Sequence, residues 1–132
     1  MSKSAIYTAV TTATPVSDGG VLPVGTMLRR FGCNLSADTN TIQTCGVGYY
    51  KIDAVATLAA ASAAPITIAL QQDGVPVPGA TSTSTVAGTS DETVLPVTAI
   101  VRNKCDCGST LSFVVSGADV TLDNFAVTVE KL

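Results

Sequence analysis

The sequence contains no histidine and no tryptophan. Without an imidazole, the usual Ser-His and Cys-His nucleophile systems are excluded, as are histidine-ligated metals. Charge is scarce too: Lys, Arg, Asp and Glu together make 13% of the chain, and the net charge is −3. The cations are scattered apart from Arg29-Arg30 and Arg102 to Lys104, so there is no basic stripe, which argues against a nucleic-acid partner. The carboxylates are spread thinly. Asp91 and Glu92 are neighbours that point to opposite faces of an extended chain, a poor arrangement for an acid/base pair. No catalytic set emerges, no cofactor is implied, and the expectation is a non-enzymatic protein. Long apolar runs are also missing. The opening "MSKSAIYTAVTTATP" has no continuous apolar core, as expected of a chain made in a cytoplasm without a signal peptide. The most membrane-like window, residues 54 to 70, is short, alanine-rich and interrupted by Ser62 and Pro65, so no membrane partner is expected.

What is present is a chain of 132 residues, 46% of them hydrophobic, long enough for one domain with a real core. So apolar a chain with so few charges must hide surface, which makes self-association the default. Threonine, valine and alanine dominate, with Gly or Pro at short intervals, the pattern of many short strands. Alternation predicts strands near 5–11, 21–31, 33–36, 41–45, 48–58, 65–72, 75–77, 82–87, 93–102, 110–116 and 119–131. Tyr50, Ile52, Ala54, Ala56 and Leu58 share one face. Leu111, Phe113 and Val115 share another, as do Phe125, Val127 and Val129. Asp73-Gly74 signals a tight turn, and Pro96 marks an edge or a strand start. Alanine favours helix, which gives residues 52 to 64 a rival helical reading, but no cap is present and a strand pattern resumes at Pro65. The fold class expected is an all-β sandwich.

The order of segments resembles a known family. "LPVGTMLRRFGC", "GVGYYKIDAVATL", "ITIALQQDGVPVPGA", "VTAIVRNKCDCGSTLSFVVSG" and a terminal "FAVTVEKL" are similar to TNF-like jelly rolls, including the heads of complement and exosporium collagen-like proteins. A closer likeness is to the small, collagen-free versions carried by phages and prophages. The resemblance covers nearly the whole chain, about Ala5 to Leu132. It implies an antiparallel jelly-roll β-sandwich of about ten strands, with residues 1–20 as an N-terminal arm or first strand and 21–132 as the jelly-roll domain. It further implies a homotrimer on a virion surface, as head decoration or head fibre. Its partners would be phage capsid or another virion protein and, in an adhesive role, a host-surface glycan met by loops in segment 73–91. A bacterial spore-surface or other cell-surface adhesion subunit is the alternative. Tyr49 or Tyr50, with Phe125 and Leu132, is expected to line the trimer axis, and Arg29-Arg30 either pair with a neighbour's Glu130 or stay solvated.

Under that topology, "GCNLSADTNTIQTCG" is a hairpin centred near Thr39 that places Cys33 opposite Cys45. The strand beginning at Tyr49 is expected to pair with the one ending at Arg102, and the strand ending near Cys33 with the one beginning at Ser109. Cys33, Cys45, Cys105 and Cys107 then gather at one end of the sandwich. Three states stay open: disulfides between the two pairs, a zinc site of all four thiolates at an unusually tight C-x-C spacing, or free thiols. The favoured role is a structural staple. Asp38-Thr39-Asn40 and Asp18-Gly19-Gly20 admit a calcium reading, with ordinary turn chemistry much the stronger one.

Overall fold

The computed structural model describes residues 4–87, 91–104 and 108–132, and among them the chain forms eleven strands and no helix. They are β1 (Ala5–Val10), β2 (Thr14–Val16), β3 (Thr26–Phe31), β4 (Leu35–Ala37), β5 (Ile42–Thr44), β6 (Gly48–Ala60), β7 (Ala64–Gln72), β8 (Val75–Val86), β9 (Glu92–Asn103), β10 (Ser109–Ser116) and β11 (Val120–Lys131). The alanine-rich β6 shows why strand prevails over helix. Tyr50, Ile52, Ala54, Ala56, Leu58 and Ala60 are all buried. A helix would turn residues two apart to opposite sides, whereas a strand puts all six on one face.

The strands pair antiparallel in two sheets. The first has the order β3-β1-β11-β6-β9, with the short β2 also joined to β11, and the second has the order β4-β5-β10-β7-β8. Their inner faces meet in a core that contains no charged side chain among the described residues. Phe113 of the second sheet meets Phe125 of the first edge-to-face, with ring centroids 5.1 Å apart and an interplanar angle of 87°. That geometry suits the ring quadrupoles. In β11 the buried positions change parity, from Val120 and Leu122 to Phe125, Val127 and Val129. A bulge between Leu122 and Asn124 makes the change possible, so both halves of one long strand face the core.

Turn and edge chemistry fit the same plan. Asp73 and Gly74 both take positive φ, 54° and 82°, as a two-residue hairpin between β7 and β8 requires. Pro76 and Pro78 lie in β8, and Pro96 lies in β9. Each of these strands is the edge of its sheet, where a missing N–H costs no ladder bond. The two edges are tied by Thr93 Oγ1, which donates to Ser84 Oγ at 2.7 Å.

Several expectations need correction. The strand expected over 21–31 spans only Thr26–Phe31, with Val21 in an isolated bridge to Val114. The two strands expected at 75–77 and 82–87 are one, β8. The strand expected over 5–11 is present as β1, and residues 14–16 add the short β2 to the same sheet.

Candidate functional site

The molecule has two distinctive surfaces, the outward face of the first sheet and the end of the sandwich that carries Cys33 and Cys45. On the outward face the ladder fixes the neighbours. Ala5, Glu130, Lys51 and Ile100 form one row, Tyr7, Thr128, Asp53 and Thr98 the next, and Ala9, Ala126, Val55 and Pro96 the third. The third row carries neither charge nor a long side chain. Val55 is 45% and Ile100 is 59% exposed, and Tyr7, Tyr49 and Val94 are exposed on the same face. The charges here are partly matched: Lys51 Nζ lies 3.9 Å from Asp53, Thr98 donates to that carboxylate at 2.9 Å, and the Arg102 guanidinium sits 5.7 Å from the Tyr49 ring centroid. The outward face of the second sheet differs. It presents Thr67, Thr81, Thr83 and Thr85, with Thr67 and Thr83 sharing a hydrogen bond of 2.9 Å. One face is apolar and aromatic; the other is hydroxylic.

Of the residues expected on a trimer axis, Tyr49 and Leu132 are exposed, while Tyr50 and Phe125 are fully buried in the protomer's own core. Those two cannot present surface to a neighbour, because inward parity in β6 and β11 points them at the opposite sheet. The Tyr50 hydroxyl lies 2.8 Å from the Cys45 carbonyl and 2.9 Å from that of Gly46. Burial, and then the neighbouring Cys45, push its phenol above the ordinary range. Sequence reasoning missed Tyr7, Val55, Val94 and Ile100. Their signal was available: apolar residues at the parity opposite the core in strands already drawn.

At the cysteine end the turn lies where it was expected, with Asp38 N donating to Thr41 O at 2.8 Å, but the register is offset by one. Cys45 N donates to Asn34 O at 2.8 Å, so Cys45 faces Asn34 and not Cys33. The strand beginning at Ser109 pairs with β5 and β7, whereas β3, which ends near Cys33, pairs with β1. The pairing of Tyr49 with Arg102 is present. Cys105 and Cys107 lie outside the described residues. Their flanks are anchored at the same place. Asn103 Nδ2 donates to Gly46 O at 3.2 Å, and Gly108 is packed so tightly that a Cβ there would come within 2.7 Å of Thr44 O. Gln72, Asn103, Thr44 and Ser109 join in a partly buried network centred on the Ser109 hydroxyl.

Among the described residues no three His, Cys, Asp or Glu side chains converge as metal ligands would, and the zinc state, one of the three left open, needs Cys105 and Cys107, which lie outside them. Of its four thiols only Cys33 and Cys45 are described, and both are free. Beside them the buried Ser4 Oγ donates to Asn34 Oδ1 at 2.9 Å and accepts from Asn34 N at 3.2 Å. Asn34, between the two described cysteines in the ladder, is therefore held by hydrogen bonds to its own neighbours.

The remaining candidates are turn-formers. Asp38 Oδ1 accepts from Thr39 N at 2.7 Å and Asp18 Oδ1 from Gly117 N at 2.9 Å. Arg30 Nε donates to Leu35 O at 2.6 Å. Glu92 hydrogen-bonds Asp123, and that bond, then the like charge, raise its carboxyl above the usual range. Segment 73–91, expected to offer recognition loops, is mostly the strand β8.

No protein-family model and no curated protein matches this sequence. Solved structures do match its fold. Murine APRIL at pH 5.0 superposes with a TM-score of 0.77 at 12% identity, over 98% of this chain and 99% of that one. Eiger TNF from S. frugiperda gives 0.69 at 10% identity, over 98% and 91%. PRD1 vertex protein P5 gives 0.67 at 12% identity, over 98% and 96%. At these identities the likeness is one of architecture, and it agrees with the strand order in both sheets: the chain is folded as a TNF-like jelly roll.

Proposed function

We propose that the chain is a non-enzymatic structural subunit that assembles as a homotrimeric knob on the surface of a phage particle, as head decoration or head fibre. The observation that carries the reading is the contrast between the two outward faces. The first sheet leaves Tyr7, Tyr49, Val55, Val94 and Ile100 in contact with water, while the second presents mainly hydroxyls. An uncharged row with exposed aromatic and aliphatic side chains around it, and charges that are partly matched within the face, is a composition an interface can use. Three copies packing these faces around one axis would cover the apolar rows and leave the hydroxylic faces outward. The architectural likeness to a vertex protein supports a place on a capsid. Adhesion to a host glycan has less behind it, since β8 fills most of the segment that was to supply loops, and Gly88 to Ser90 lie outside the described residues. Protein mass spectrometry of purified particles tests the assignment. The chain should be recovered from intact, nuclease-treated particles and be cross-linked to copies of itself. Its absence from particles of a phage that encodes it overturns the reading.

A further inference from the structure

We propose that Cys33 and Cys45 are a redox-closable thiol pair that staples the two sheet-to-sheet crossings at one end of the sandwich. Cys33 lies between β3 of the first sheet and β4 of the second, and Cys45 lies between β5 of the second and β6 of the first. Both thiols are exposed, and both line one open cavity of about 490 Å³ together with Arg30, Asn34, Thr44 and Asp73.

The register sets the distance between them. Because Cys45 faces Asn34, Cys33 is its diagonal neighbour. Facing residues of about 4.5–5.5 Å separation, combined with a rise of about 3.4 Å, put the two Cα atoms roughly 6 Å apart. That is within the range of about 4.4–6.8 Å that a disulfide spans. In an unbroken ladder the two side chains would still point to opposite faces. Here residues 32–34 bend, with Gly32 at φ 81°, which frees Cys33 from that alternation, and both cysteines line the same cavity. Cys45 is the fixed partner: its carbonyl accepts from Asn34 Nδ2 at 2.6 Å and from the Tyr50 hydroxyl at 2.8 Å. Cys33, on the bend, is the adaptable one.

Closure has a structural consequence. β3 is an edge strand whose six residues are all exposed, held by pairing to β1 and by the bond from Arg30 to Leu35 O. A covalent bond just beyond its end would tie this edge to the start of β6. In the reaction the two thiols lose two protons and two electrons and form one S–S bond. The acceptor is a small-molecule disulfide such as oxidised glutathione, whose S–S bond is cleaved to two thiols.

The test uses the natural chain equilibrated with oxidised glutathione, alkylated and cut with trypsin. Cleavage after Arg30 and Lys51 leaves both cysteines in one peptide, 31–51, whereas Cys105 and Cys107 fall together in 105–131. The expected product is peptide 31–51 lighter by two hydrogens and unalkylated, with Cys33→Ser losing the oxidant-dependent rise in unfolding temperature. Peptide 31–51 cross-linked to 105–131, carrying glutathione on each cysteine, or alkylated at both, overturns the proposal. So does a rise that persists in Cys33→Ser.

Discussion

Replacing Val55 by aspartate separates an assembly face from an ordinary surface. Val55 is the centre of the uncharged row Ala9, Ala126, Val55 and Pro96, and 45% of it remains exposed in the protomer. Full burial of a valine side chain is worth about 1.5–3 kcal/mol, so covering the remainder contributes roughly 0.7–1.4 kcal/mol per copy. Aspartate forfeits that and adds the cost of taking an unpaired carboxylate out of water, several kcal/mol even after relaxation. Three copies meet in a trimer, so the total exceeds roughly 9 kcal/mol, at least six powers of ten in the association constant. Val55 points away from the core, so the fold itself should change by no more than the roughly 0.5 kcal/mol typical of surface positions. Light scattering coupled to size exclusion should therefore show the natural chain as a trimer and Val55→Asp as a monomer, with unchanged far-ultraviolet dichroism. A Val55→Asp protein that stays trimeric at micromolar concentration refutes the placement of the interface on this face.

Other outcomes follow from the core and the carboxylates. Thr8 is fully buried and its hydroxyl has no hydrogen-bond partner among the described residues, so Thr8→Val, which keeps the shape, should stabilise by about 1 kcal/mol in urea unfolding. Phe113→Ala removes the ring that meets Phe125 and should cost about 3–5 kcal/mol in the same assay. Glu92 has its carboxyl pKa raised by Asp123, so the folded state binds a proton more readily than the unfolded one. The pair therefore supports the fold most below the ordinary carboxylate pKa, and this support is lost as pH rises through the raised value. Glu92→Gln should accordingly melt higher than the natural chain at neutral pH, and the gain should fade on acidification.

The two-residue period carried most of the fold. The inward series of β6, β10 and β11 could be read residue by residue, and so could the turn at Asp73-Gly74 and the edge placement of Pro96. What failed is what a period cannot encode. β8 runs on through Pro78 and Gly79 where its ladder with β7 shifts register, between Ala69 and Gln71. The bulge at Asp123 appears in the sequence only as a change of parity between Leu122 and Phe125. The Cys33–Cys45 offset depends on one residue in the β4–β5 hairpin, a finer distinction than a turn centred near Thr39 can make. Of the residues expected on a trimer axis, Tyr49 and Leu132 are exposed, while Tyr50 and Phe125 are buried. Aromatic residues drew attention to Tyr50 and Phe125, although their own strands point them inward, and the plainer Val55 and Ile100 on the other parity carry the exposed apolar surface.

Native mass spectrometry of the natural, unreduced chain tests the central claim most directly. A homotrimer should appear as one dominant species of three copies, each of 13.3 kDa, stable to dilution into the micromolar range. A single copy at that concentration would contradict self-assembly and leave the outward face of the first sheet without a neighbour.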